Sequence, residues 1–474
     1  MNYMLEELTD ILDDIVPDND TNTEDSILYT EDFLEMVLHL MEEYVTDDPM
    51  AIAEPSFHTA FLDETYEMLM SQLGHELWRY NDETIMDRLD EISEIFYASF
   101  MPRRSYPTTL ILNNHINTKN ITEKIALLRN KPQPTQRTAE WYEFRHNLLT
   151  ASNAYKSFMD GSELNQLIFE KCQPLHIPDP EKVTMVNVDT TLHWGQKFEP
   201  LSVMIYEDKY ETKIEDFGCI QHGTYSFLGA SPDGINVNKK SLRYGRMLEI
   251  KNIVNREIDG VPKLEYWIQM QLQMETCDLD ECDFLETRFV EYEDEAAFDE
   301  DTAQAEYKGL IMYFTHEGRP VYKYAPLHLS RHELSAWEAD QHDKTEHTWI
   351  KNIYWKIDEM SCVLVQRNPR WFQDNIATLQ DVWKTIEYER VHGYQHRAPV
   401  KRTNKTNNQP ENEGQSSCLI SLDKDTGQVS INKQPRQNQQ HPQPQQIILE
   451  LKIRTESFDD TKDKMSKIVG LNDE

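Results

Sequence analysis

Cysteine is sparse in this chain of 474 residues, with six in all, and no two of them form a C-x-x-C unit. Zinc ribbons and iron–sulfur clusters need such pairs, so the thiols are read as reduced and structural. Sixteen histidines include no H-E-x-x-H, which leaves zinc catalysis without support, and His193 and His222 are read as packing or hydrogen-bonding residues. A phosphate loop of the form G-x-x-x-x-G-K-[ST] is missing as well, which argues against an ATP motor within the chain. No apolar run approaches the ~20 residues that span a bilayer, and no charged-then-apolar leader opens the sequence. The expectation is a soluble, intracellular protein without a membrane partner.

Basic residues are also scarce, but unevenly so. The formal charge is −37, and the first hundred residues hold 27 Asp and Glu against only Arg79 and Arg88. Residues 101–156 reverse the balance, with nine Lys or Arg facing Glu123, Glu140 and Glu143. A polyanionic partner needs cations at the contact rather than a positive average, so the segregation keeps nucleic acid open as a ligand. Hydrophobic residues at 39% and aromatics at 10% are enough for a sizeable core.

The patterning divides the chain into five parts. Residues 1–100 show helical periodicity, as in Phe33, Leu34, Val37, Leu38 and Met41, and are read as an acidic all-helical unit. Prolines 102, 107, 132 and 134 bracket a basic linker at 101–136 with one short helix over 121–128. Residues 137–395 mix helices near 138–148, 193–206 and 263–276 with short strands between 214 and 252. A strand near 283–292, an acidic loop at 293–301, strands at 308–314 and 320–326, helices at 331–351 and 370–391 and a strand at 361–366 complete that part. The Gln-, Asn- and Pro-rich stretch 396–446 cannot bury enough to fold and is expected to be disordered. The last segment, 447–474, opens with the alternating IILELKIR, which could add an edge strand to a partner or to the domain itself.

Chemistry concentrates between Ser231 and Lys251. Asp233 lies in a turn, and sixteen positions later Glu-Ile-Lys sits in an apolar β-type run. Alternate side chains of a strand share a face, so Glu249 and Lys251 point one way while Leu248 and Ile250 point into the core. Asp233 and Glu249 together could hold Mg²⁺ or Mn²⁺, with Lys251 orienting water or stabilising charge on a phosphate. By itself D-x(n)-E-x-K is a weak pattern that an exposed ion pair also satisfies. Glu199 on a helix adds a third carboxylate for the same metal, Arg145 and Ser152 offer a cation and a hydroxyl for a phosphate, and Gln269 and Gln271 follow on the next helix. Those two glutamines stand about 200° apart on a helix of 3.6 residues per turn, so only one can face the site, and Gln269 is preferred.

The ordered set W-x-x-x-R-x-x-x-x-T-A-S, W-G-x-x-x-E, S-P-D-G, E-I-K and Y-x-x-Q-x-Q, over about residues 137–290, resembles the lambda-type exonuclease or YqaJ-like viral recombinase branch of the PD-(D/E)xK nucleases. The resemblance implies an α/β (α+β) fold with a restriction-endonuclease-like core, a mixed sheet flanked by helices, that degrades one strand of duplex DNA from its 5′ end. By position it implies Asp233, Glu249 and Glu199 as metal ligands for Mg²⁺ or Mn²⁺, Lys251 as catalytic lysine and Gln269 as an active-site glutamine. Arg145 with Ser152 matches the group that receives a 5′ phosphate, and Gln271 is a further candidate DNA contact. The acidic N-terminal unit, the extension beyond residue 300 and the Gln-rich tail depart from a bare nuclease domain. That architecture resembles nucleases of large DNA viruses, with the host cytoplasm or the virion as location. Expected partners are duplex DNA ends, a single-strand annealing protein or other replication or recombination factor, and further copies of the chain; the acidic unit is read as a DNA mimic covering the basic stretch 101–156, as a docking surface for such a basic partner, or as a merely solvated bundle. A structure-selective endonuclease or nickase on the same core, and a non-catalytic DNA-binding scaffold, are the competing readings.

Overall fold

The computed structural model describes residues 26–107, 118–135, 138–177, 187–188, 190–301, 306–344 and 346–399, and the strand pairs at 420–422 and 429–431. The segment 447–474, with its expected edge strand, lies outside the described residues, as do most of 396–446 and residues 1–25. Residues up to 400 form one compact unit and 401–474 another. Of the second unit only the antiparallel pair β12 (Ile420–Leu422) and β13 (Val429–Ile431) is described, within the tract expected to be disordered.

Three helices open the larger unit: α1 (Glu31–Asp47), α2 (Phe57–Leu77) and α3 (Asp82–Ser99). Thr30 and Asn81 cap α1 and α3 by accepting from the third helical backbone N–H, and each first turn carries two acids that suit the positive end of the helix dipole. The stripe Phe33, Leu34, Val37, Leu38 and Met41 is buried against Phe57, Phe61 and Phe96. Fully burying each such side chain is worth about 1.5–3 kcal/mol, which is how so acidic a segment still folds.

Residues 101–136 do more than link. β1 (Tyr106–Pro107) pairs with Leu364 and Val363, more than 250 positions on, and α4 (Thr118–Asn130) buries Ile125 and Leu128 in the shared core. Arg104 is buried, donating from Nη2 to Ala53 O at 2.8 Å and to Pro262 O at 2.5 Å, which ties the helical unit to the central domain.

Next come α5 (Ala139–His146), β2 (Leu149–Thr150), the single turn α6 (Ala151–Ala154), α7 (Ser162–Cys172) and α8 (Thr191–Lys209). Thr138 and Thr190 cap α5 and α8. Short strands follow: β3 (Ile214–Glu215), β4 (Ile220–Gln221), β5 (Leu228–Ala230), β6 (Gly234–Asn236) and β7 (Met247–Asn252). α9 (Leu264–Cys277), β8 (Glu281–Glu291), α10 (Glu295–Glu300), β9 (Lys308–His316), β10 (Arg319–Tyr324), α11 (Arg331–Asp343), β11 (Thr348–Gln366) and α12 (Pro369–His392) complete the unit.

The principal sheet runs β10-β9-β11-β8-β7-β6-β3, with β1 added to β11. β7 and β8 are parallel and the remaining pairs antiparallel, so the sheet is mixed and flanked by helices, as expected. A small sheet, β2-β5-β4, packs beside it. Two expectations need correction. The acidic loop at 293–301 contains α10, because Asp294 caps it by accepting from Ala297 N. The helix expected to reach residue 351 stops at Asp343, and the alternating run from Thr348 joins the expected strand at 361–366 into one strand of 19 residues.

Candidate active site

The sheet order places β7 between β6 and β8, and Asp233 lies just before β6, opposite the residues that matter on β7. Its backbone N–H donates to Leu248 O at 3.1 Å and its Oδ2 accepts from Ile250 N at 2.7 Å, so the turn is stitched to the strand on both sides of Glu249. Leu248 and Ile250 are buried among Tyr206 and Leu285, which aims Glu249 and Lys251 away from that cluster. Glu249 is 1% exposed. Lys251 donates to its Oε1, Gln269 Nε2 donates to the same oxygen at 2.8 Å, and Gln273 Nε2 donates to Oε2 at 2.8 Å. The ammonium of Lys251 also lies over the Tyr266 ring, 4.7 Å from its centroid.

Asp233, Glu199 and Lys251 each feel the charge of Glu249. Burial first and the neighbouring Glu249 second raise Asp233 well above the ordinary carboxylate range. Glu199, on a solvent-exposed position of α8, is raised by desolvation from the surrounding protein, then by Glu249 and Asp216. Burial disfavours the charge on Lys251, yet Glu249 and Asp233 outweigh it and hold the lysine above its usual range.

Among the described residues no three Asp, Glu, His or Cys side chains stand close enough to form a ready metal cage, so Asp233, Glu249 and Glu199 are not gathered into the three-carboxylate set expected. Mg²⁺ needs no such cage, because it keeps several waters and takes one or two carboxylates. Oxygen donors that repel one another, together with the buried and unpartnered Oε1 of Gln273, fit a hard, hydrated divalent cation.

Arg145, at the end of α5, lies over Trp141 and donates from Nη1 to Ser231 Oγ at 3.1 Å. Ser231 O in turn accepts from Gln273 Nε2 at 3.2 Å, so a chain of contacts runs from Arg145 to Glu249. Lys171 Nζ and Arg390 Nη2 donate to Arg145 O and His146 O, capping α5 with positive charge. Burial first, then Arg145 and Arg390, bring Lys171 down to about 8. Ser152 lies exposed on α6, with its hydroxyl 3.5 Å from Thr150 Oγ1.

Gln271 does not reach the cleft. It is buried and spends its amide on Gln366 O and Asn368 N, holding β11 to α12. Sequence reasoning missed Gln273 and Asp216. The first carried a signal, since Gln269 and Gln273 stand four positions apart and share a helix face. Asp216 carried none that was local. His193 bonds Tyr322 OH at 2.6 Å, and His222 Nδ1 accepts from Thr224 N and Tyr225 N, so both are structural.

The stretch of chain that supplies these residues, from α5 to α9, coincides with a recognisable domain. Residues 140–280 match the YqaJ-like viral recombinase domain. The matched segment holds Arg145, Glu199, Asp233, Glu249, Lys251, Gln269 and Gln273. The chain is 26% identical over 349 residues to an uncharacterized protein of Acanthamoeba polyphaga mimivirus, covering 64% of this chain and 62% of that relative's length. An alkaline exonuclease of Laribacter hongkongensis, alone and in complex with dAMP, aligns at 17% identity over 54% of this chain and 95% of its own, with a TM-score of 0.32. No helix among the described residues is long and apolar enough to cross a membrane.

Proposed function

We propose that the chain is a metal-dependent DNA nuclease that digests duplex DNA from 5′ ends. The observation that carries this reading is the Glu249–Lys251 pair on β7, set against Asp233 in a cleft of raised carboxylates within the YqaJ-like domain. Asp233 and Glu249, with Glu199 beside them, would hold Mg²⁺ or Mn²⁺, which supplies a Lewis acid and an acidified water. Because its proton is held more tightly than usual, Lys251 stays an ammonium at neutral pH. Its work is therefore to stabilise charge on the phosphate and orient the water rather than to accept a proton. Gln269 and Gln273 fix both oxygens of Glu249, which leaves that carboxylate one orientation. Arg145, released from Ser231 Oγ, offers a guanidinium to a terminal phosphate, and the capping charges of Lys171 and Arg390 favour an anion there.

End-labelled digestion of 5′-phosphorylated duplex with Mg²⁺ tests the reading, beside covalently closed circles. Mononucleotide released first from 5′ ends, with circles intact, is the expected result. Equal cutting of circles would overturn the end-directed reading, and an inert protein with either metal would overturn the nuclease.

A further inference from the structure

Glu199 sits on a turn of α8 that is weak by construction. Pro200 follows it directly and lies inside the helix, so one backbone hydrogen bond of that turn is missing. Something outside the helix must set where this turn lies. Gly195 and Ser202 are seven positions apart, two helical turns, and therefore share a face with Glu199 between them. Both are held by the same side chain. Asn252 Nδ2 donates to Gly195 O at 3.0 Å, and Asn252 Oδ1 accepts from Ser202 Oγ at 2.7 Å. The same Oδ1 accepts from Thr287 Oγ1 at 2.8 Å, and the two hydroxyls lie 3.1 Å apart. Asn252 is the residue after Lys251 on β7 and stands in register with Thr287 on β8. Ser202 and Thr287 are fully buried.

We infer that Asn252 is a positioning residue: its carboxamide clamps the Pro200-weakened turn of α8 to β7 and thereby holds Glu199 within electrostatic reach of Glu249 and Asp233. The inference rests on the proposed metal-dependent reading of the cleft. The carboxamide is suited to this because one side chain both donates and accepts, gripping a carbonyl of the helix with one end and hydroxyls of helix and sheet with the other. An aspartate would turn a carboxylate oxygen on Gly195 O, and an aliphatic residue would leave both hydroxyls with only each other.

A double-mutant cycle read by Mn²⁺ binding to the full chain tests it, using calorimetry or paramagnetic resonance with the metal alone, beside melting temperatures. Removing a residue that orients a metal ligand costs about 10–100-fold in metal affinity. Asn252→Ala is therefore expected to weaken Mn²⁺ about 10-fold in the wild-type background and less than about 2-fold in a Glu199→Gln background. A residue that merely supports the fold lowers the melting temperature in both backgrounds and leaves the two affinity changes independent. Independent effects, unchanged affinity in Asn252→Ala, or wild-type affinity in Glu199→Gln each overturn the inference. Should Asn252→Ala fail to fold, Ser202→Ala removes a single bond of the clamp and runs the same cycle. Coupling without any DNA hydrolysis would overturn the nuclease and leave the clamp standing; hydrolysis without coupling does the reverse.

Discussion

The N-terminal helices and the central sheet handle charge in opposite ways. In α1 to α3 the acids lie outside and the interior is apolar, with Phe57, Phe61 and Phe96 in contact and Thr65 and Ser93 bonded back to their own helices. The sheet instead buries Glu249, Asp283, Glu286 and Arg246. Asp283 is met by Arg243, Arg246 and Tyr206, and Glu286 by Arg256. Burying ions costs several kcal/mol each unless partners compensate, and an apolar replacement is often as stable. The contrast separates a region whose interior excludes charge from one that retains it in paired form.

The sharpest test of that separation is Glu249→Ala. Its rate of duplex hydrolysis should fall by about 10³-fold or more, with the fold retained in circular dichroism, since the metal-binding carboxylate is gone. Phe61→Ala is the converse, costing about 3–5 kcal/mol in denaturant unfolding as a large buried ring is removed, while the half-saturating Mg²⁺ of the remaining folded enzyme stays as in wild type. Gln273→Ala should slow hydrolysis by about 10–100-fold through the loosened Glu249, and more than Gln271→Ala, whose amide faces elsewhere. Arg145→Ala should reduce the preference for phosphorylated over hydroxyl 5′ ends by about 10-fold, as expected for losing one charged hydrogen bond. A comparable loss on both kinds of end would remove Arg145 from end recognition.

The smallest effect concerns pH. Asp233 binds its proton more tightly folded than unfolded, so proton uptake favours the folded state. That contribution is fully present below the ordinary aspartate value and is lost as pH rises through the raised one. Without metal, acidification should therefore help wild type relative to Asp233→Asn, as read by paired melting curves in chelator. Mg²⁺ should erase the difference, because it competes for the same carboxylate.

How much of this was legible beforehand depended on how local the cause was. The alternation around Glu249 and Lys251 is written within a few residues, and the strand follows it. The influence of Asp216 on Glu199, 17 positions away across a change of element, and the pairing of β1 with β11, more than 250 positions on, leave no periodic trace. Gln273 falls between these cases. Its place on a helix face was readable, but its partner was fixed only once α9 packed on β7.

The register of β7 decides how portable the catalytic unit is. The segment that matches the YqaJ-like viral recombinase domain ends at residue 280, one position before β8 begins, and β8 is in turn paired along its length by β11. A fragment cut at that limit would carry Glu249 and Lys251 on a strand stripped of its parallel neighbour, an open edge prone to aggregate. Transplanting the chemistry with its sheet therefore means carrying the chain through Gln366, well past the end of the matched domain.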